Sequence, residues 1–245
     1  LETATLKAIK AQSDRLNSTV VIHVAETRKE RDDIFAQFGK TPASYLASIG
    51  FLSDRTIAAH SVWLRPDEID LYKSYGVGSA HCPTSNMKLA SGIAPIPEMI
   101  AKDVAVGLGT DGAASNNDLD MWEEMDLAAK LHKVSTNDPK TLPAETAFEM
   151  ATIRGARALH LDKITGSLEA GKRADIAIVD LDSLNQMPWF NIYSSLVYST
   201  KAADVRTVVI EGRIVMLDRR LLTLNENVIK KDANAYRKKI IDSLK

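Results

Sequence analysis

Three of the chain's five histidines, His23, His60 and His81, close short apolar runs: Thr19-Val-Val-Ile-His23, Thr56-Ile-Ala-Ala-His60 and Gly76-Val-Gly-Ser-Ala-His81. A fourth run, Val104-Ala-Val-Gly-Leu-Gly-Thr-Asp111, ends in a carboxylate. Neutral imidazoles with one carboxylate are borderline ligands, suited to Zn²⁺ or Fe²⁺ and poor for Mg²⁺ or Ca²⁺. Glu26 comes three residues after His23. An extended strand sends such a pair to opposite faces, so both enter one pocket only if the chain turns after His23. A glutamate beside a metal can shuttle protons; the alternative is a carboxylate capping the next helix at its N-terminus. Asp111 reads either as the carboxylate of the metal site or as the N-cap of a structural turn. The Gly107 and Gly109 positions allow close backbone approach, and the loop Gly112-Ala-Ala-Ser-Asn-Asn117 is flexible enough to wrap a ligand.

Other chemistries fit less well. The chain has no Gly-x-Ser-x-Gly elbow and no phosphate-binding glycine loop. Cys82 is followed by Pro83, and no helix N-terminus is expected there to acidify the thiol. His132 and His160 fall on expected helices and read as surface or packing residues. Trp63 and Trp122 lie near strand ends, where an indole either stacks on a flat ring or fills the core.

The elements that must position these groups alternate. A helix over 2–17 precedes the first run, and helical patterns follow at 28–38 and 42–49, the second opened by Thr41-Pro42. Pro66-Asp67-Glu68 opens a helix to about Ser74, with acids where the helix dipole favours them. Residues 82–95 read as loop, 95–102, 119–134 and 143–159 as helix, and 104–111 as strand. Four strand–helix units in series imply parallel strands with right-handed crossovers. Strand C-termini in such folds converge on one face, where ligands bind. Beyond Leu161 a turn and strand lead to Asp180, Val205–Ile210 and Arg213–Met216 form a hairpin, and a charged helix runs over about 229–244.

The 245 residues, 45% hydrophobic and 26% charged, suffice for a sizeable core. A net charge of −1 gives no basic field for nucleic acid or an anionic membrane. A single cysteine excludes an internal disulfide framework and fits a reducing compartment, so the expected location is cytoplasmic. No apolar run approaches the roughly 20 residues of a membrane span, and the N-terminus carries no signal-peptide core.

The motifs His23-Val-Ala-Glu26, Ala59-His60-Ser61-Val62-Trp63-Leu64, the stretch His81 to Pro95 and Gly109-Thr-Asp-Gly-Ala-Ala-Ser-Asn-Asn117 together resemble the amidohydrolase superfamily. Within it they are most similar to the 5-methylthioadenosine/S-adenosylhomocysteine deaminases, related to the s-triazine chlorohydrolases. Gly166-Ser-Leu-Glu-Ala-Gly-Lys-Arg-Ala-Asp-Ile-Ala-Ile-Val-Asp180 resembles the return of the chain into that superfamily's small β-sandwich. The resemblance implies an α/β fold, the C-terminal half of a (β/α)₈ TIM barrel (strands 5–8) over 1–162, and part of the β-sandwich with a closing helix over 163–245.

It also implies deamination of an adenine-type nucleoside to the inosine form plus ammonia, by attack of a metal-activated water. By the same resemblance, His23 and Asp111 hold one divalent metal, Zn²⁺ ahead of Fe²⁺. His60 stands near the water, Asp111 doubles as general base, and Glu26 binds the ring and protonates its nitrogen. Ser115 lies where the last barrel loop meets the nucleoside; His81 and Asn86 have no assigned role. The implied partners are a small purine nucleoside and further copies of the chain. The superfamily's first-strand His-x-His is absent, so the chain is expected to be a fragment, inactive alone. The alternatives are a guanine or cytosine deaminase, an s-triazine chlorohydrolase, or, from another class, a metal-free non-catalytic homologue.

Overall fold

A computed structural model of the chain describes residues 1–244. Helix α1 (Thr3–Leu16) leads into strand β1 (Val20–Val24), then helices α2 (Arg28–Phe38) and α3 (Pro42–Ser48). Strand β2 (Thr56–His60), helix α4 (Pro66–Tyr75) and strand β3 (Gly78–His81) follow. The segment read as loop contains a short helix, α5 (Pro83–Lys88), ahead of α6 (Ile96–Ala101). Strand β4 is only Val106–Leu108, so Asp111 lies three residues beyond its end rather than at its tip. Helix α7 (Met121–Thr136) is followed by α8 (Ala144–Ala151) and α9 (Ile153–Ala158) in place of one continuous helix. The break falls at Thr152, whose φ of −128° and ψ of −106° are not helical. His160 sits past α9 in a left-handed turn, φ 59°, not on a helix.

The four strands pair in parallel in the order β1-β2-β3-β4. Register fixes which side chains share a face: His23 pairs with Ala59, Ala59 with Ala80, and Ala80 with Gly107. His81 pairs with Leu108 on the opposite face. That face is buried, whereas the face bearing Val21 and His23 is open at β1. The core cluster lies among the sheet and helices, around Tyr72, Phe51, Ile96, Met99 and Met150, each under 2% exposed. Helix α9 reaches the sheet through glycine: a methyl group on Gly78 would stand 1.9 Å from the Ala158 carbonyl oxygen. One buried carboxylate, Glu68, joins two helix starts, accepting from Thr41 Oγ1 (2.6 Å), the Ser44 amide (3.0 Å) and the Arg65 amide (3.1 Å). Three donors on one carboxylate offset the cost of burying it.

A second, antiparallel sheet has strands in the order β5-β6-β7-β8: β5 (Ile176–Val179), β6 (Val205–Ile210), β7 (Arg213–Leu217) and β8 (Arg220–Leu221). Between β5 and β6, helix α10 (Ile192–Ser194) runs into a π-helical turn, Ser195–Ser199, that buries Val197 in the main core. Helix α11 (Glu226–Ser243) has no buried residue. Among the described residues no helix is long and apolar enough to cross a membrane.

Candidate metal centre

The chain turns after His23, as bringing His23 and Glu26 into one pocket requires. Ala25 takes a left-handed φ of 52°, and the amides of Ala25 and Glu26 donate to the Glu30 carboxylate at 2.9 and 2.8 Å. Thr27, not Glu26, caps α2, accepting from the Glu30 amide at 3.1 Å. Glu26 is thereby free to face the site, with Oε2 4.0 Å from His60 Nε2 and Oε1 3.5 Å from the Ser91 hydroxyl.

His60 escapes the alternation of its strand. In regular pleat it would follow His81 to the opposite face, but its φ of 67° turns the imidazole toward His23. The two rings stack at 5.1 Å between centroids and 21° between planes. His60 is buried, and its Nδ1 donates to Asn86 Oδ1 at 2.9 Å. An amide oxygen can only accept, so Nδ1 carries the hydrogen and Nε2 turns its lone pair inward. Asn86, on α5, thus holds the ring's orientation and tautomer.

Asp111 also has a left-handed φ, 61°. Its Oδ2 accepts from Ser85 Oγ at 2.7 Å and Ser115 Oγ at 2.6 Å, while Oδ1 stands 4.0 Å from His23 Nε2. Burial pushes the carboxyl upward, but the Ser115 and Ser85 hydroxyls, the Gly112 amide and His60 outweigh it, leaving it below the usual carboxylate range. Ser115 is engaged with Asp111 and the Gly112 carbonyl. Lys88 reaches from α5 to the Ala114 carbonyl and Asn117, pinning the same loop.

His23, His60 and Asp111 therefore converge: one donor atom from each lies within 4.8 Å of the other two. Zinc–ligand distances of about 2.1 Å place such donors about 3–4 Å apart, a closure within reach of the exposed His23 side chain. Two imidazoles and a carboxylate are the donor types such a cation takes.

His81 does not join them. Its Nε2 lies 3.1 Å from His132 Nε2, and both rings are buried between β3 and α7. Burial, then the neighbouring His132 and His60, holds His81 well below its ordinary pKa; burial first, with Lys133, brings His132 down to about 4. Cys82 does stand at a helix start, the N-cap of α5. Burial, reinforced by Asp111 and Glu124, nonetheless pushes its thiol up to about 12, the reverse of activation. Trp63 donates Nε1 to the Ser91 carbonyl at 2.8 Å and lies under Arg31, 5.1 Å from the ring centre. Ser85 and Ser91 were not singled out by sequence reasoning; short hydroxyls in a loop give no signal until the loop is folded.

Residues 1–215 match the amidohydrolase family, and the chain belongs to it. A 5-methylthioadenosine/S-adenosylhomocysteine deaminase of Syntrophomonas wolfei is 47% identical over 239 residues, 97% of this chain and 56% of that protein. A 5'-deoxyadenosine deaminase of Methanosphaera stadtmanae is 46% identical over 221 residues, 90% of this chain and 52% of its own length. The crystal structure of an adenosine deaminase from Xanthomonas campestris, with bound zinc, superposes with a TM-score of 0.96 at 38% identity, over 99% of this chain and 55% of that one. The chain spans about half the length of these relatives.

Proposed function

We propose that residues 1–162 are the second half, strands 5–8, of a (β/α)₈ barrel, that 163–245 are the C-terminal part of a β-sandwich domain with its closing helix, and that the whole protein deaminates an adenine-type nucleoside. The substrate class is 5-methylthioadenosine or S-adenosylhomocysteine, converted to the inosine form with release of ammonia. One observation carries this reading: the convergence of His23, His60 and Asp111, with Glu26 beside them, at the loop ends of parallel strands. The names of the relatives support the adenine nucleoside over other rings. The single cysteine is free, and we place the protein in the cytoplasm.

His23 and Asp111 would hold one divalent cation, Zn²⁺ ahead of Fe²⁺, with His60 alongside. Such a cation supplies Lewis acidity, drawing the pKa of water toward about 7. Asp111 accepts the water's proton as the oxygen adds to C6 of the purine. His60, its Nδ1–H committed to Asn86, offers the Nε2 lone pair to the water as a hydrogen-bond acceptor, and meets charge on the oxygen only as that nitrogen takes up a proton. Glu26 delivers a proton to the ring nitrogen, so that the ring accepts the electron pair; Asp111 passes the water's proton to the C6 amine, which departs as ammonia, and the hydroxyl proton on the tetrahedral carbon returns to Glu26 as the C6 carbonyl forms. Ser115, at the rim of the same loop, would meet the nucleoside.

In the full-length protein, Asp111→Ala and Glu26→Gln should each lower kcat for ammonia release from 5-methylthioadenosine by about 10²–10⁴-fold. Wild-type turnover in either variant refutes the assignment. Chloride release from a chloro-triazine, with no ammonia from any nucleoside, would move the activity to the alternative ring class.

A further inference from the structure

Glu124 lies on α7 with its side chain fully buried, outside the centre described above. Its two carboxylate oxygens reach different segments. Oε2 accepts from the Thr84 amide at 3.2 Å, in the first turn of α5, and Oε1 accepts from Asn116 Nδ2 at 2.6 Å, in the loop after β4. Each contact is one residue from a serine that donates to Asp111 Oδ2: Thr84 precedes Ser85, and Asn116 follows Ser115. Asn116 in turn accepts the Leu119 amide at 2.8 Å and gives its own amide to the Gly112 carbonyl at 3.0 Å, which closes the loop around the contact.

We propose that Glu124 is a positioning residue for the metal centre: it clamps the α5 start and the β4 loop so that Ser85 and Ser115 together hold Asp111 Oδ2 and leave Oδ1 facing His23. Ser85 is itself fully buried, so the direction of its hydroxyl follows the backbone that Glu124 grips. A buried carboxylate is costly to desolvate, and burial raises the Glu124 carboxyl above its ordinary range. An apolar residue would fill the same space without that cost but could not bind both segments. The two serines are the partners one step removed from the ligand, the kind that orient ligating carboxylates and whose loss typically weakens metal binding; Glu124 acts one step further out, through the backbone that carries them.

The inference rests on the reading of Asp111 as a metal ligand, and the test separates the two. Metal-free full-length protein is titrated with Co²⁺. Glu124→Gln preserves volume but replaces one acceptor with a donor, so one arm of the clamp is lost. Its affinity for Co²⁺ should fall about 10-fold, the lower end of what losing a direct partner of a ligand costs, while near-ultraviolet circular dichroism stays native. In a Ser85→Ala/Ser115→Ala background the same change should cost less than about twofold, because the route to Asp111 is already cut. Undiminished affinity in Glu124→Gln, or the full loss in the serine-free background, overturns the clamp. Should Glu124→Gln fail to fold, Asn116→Ala cuts the shorter arm from the loop side; a comparable loss supports the clamp and an unchanged affinity overturns it. Asp111→Ala serves as the reference. Wild-type Co²⁺ binding there sinks the metal reading itself, whereas a loss there with intact binding in Glu124→Gln sinks only the clamp.

Discussion

Replacing His132 with Gln tests the buried imidazole pair by its dependence on acid. The two Nε2 atoms stand 3.1 Å apart, so one ring donates its N–H and the other must offer a lone pair. Protonating the acceptor turns two N–H groups on each other inside the core. His132 is held at about 4 in the fold against an ordinary 6.5. A group whose pKa is lowered by folding, and whose neutral form the fold prefers, stabilises fully above the unfolded value. That contribution is lost as pH falls from about 6.5 through about 4, because the unfolded chain takes up the proton first. The difference between those two values corresponds to about 3 kcal/mol. His81, held well below its ordinary value, acts in the same direction. Glutamine places an amide near Nε2 without a titrating group. The assay is urea unfolding of wild type and His132→Gln between pH 7.5 and 4, followed by circular dichroism. Wild type is expected to be the more stable at pH 7.5, and its lead should shrink by about 2–3 kcal/mol toward pH 4. Parallel stability curves would refute a neutral, buried pair.

Two further outcomes follow from the packing. Gly78→Ala puts a methyl carbon 1.9 Å from the Ala158 carbonyl oxygen, so β3 and α9 must part; a loss of about 1–3 kcal/mol is expected, read as a lower melting temperature, and an unchanged one contradicts the close approach. Cys82, with its thiol near 12 and 3% exposure, should resist iodoacetamide at pH 8 in the native state and react on unfolding; rapid native alkylation would contradict its burial.

Much of the site was legible because strand periodicity is coarse and robust. The apolar runs ending at His23 and His60 became β1 and β2, and Ala25 supplied the turn that Glu26 needed. His81 shows where that logic stops. Counting residues put it at the same strand end as the other two, but the pleat sends alternate side chains to opposite faces. Only a left-handed φ at His60 brings that imidazole round, and no residue type announces a positive φ in histidine. Asp111 was expected at a strand tip and lies three residues beyond one: β4 ends at Leu108, and Gly109 and Thr110 carry the chain on to the carboxylate. Helix α5 was missed since Pro-Thr-Ser-Asn reads as turn chemistry; its value as a helix comes from tertiary partners, among them His60 on Asn86 and Glu124 on Thr84.

The two serines on Asp111 have an effect on which ions can compete. With Oδ2 already receiving two hydroxyl protons, the carboxylate has a single oxygen to spare. Calcium favours six to eight oxygen donors and often grips a carboxylate by both atoms; here it would find one, flanked by two imidazoles it coordinates poorly. With Asp111 as the proposed ligand, discrimination against the hard, large cations would be written into a pair of neutral hydroxyls before any cation arrives.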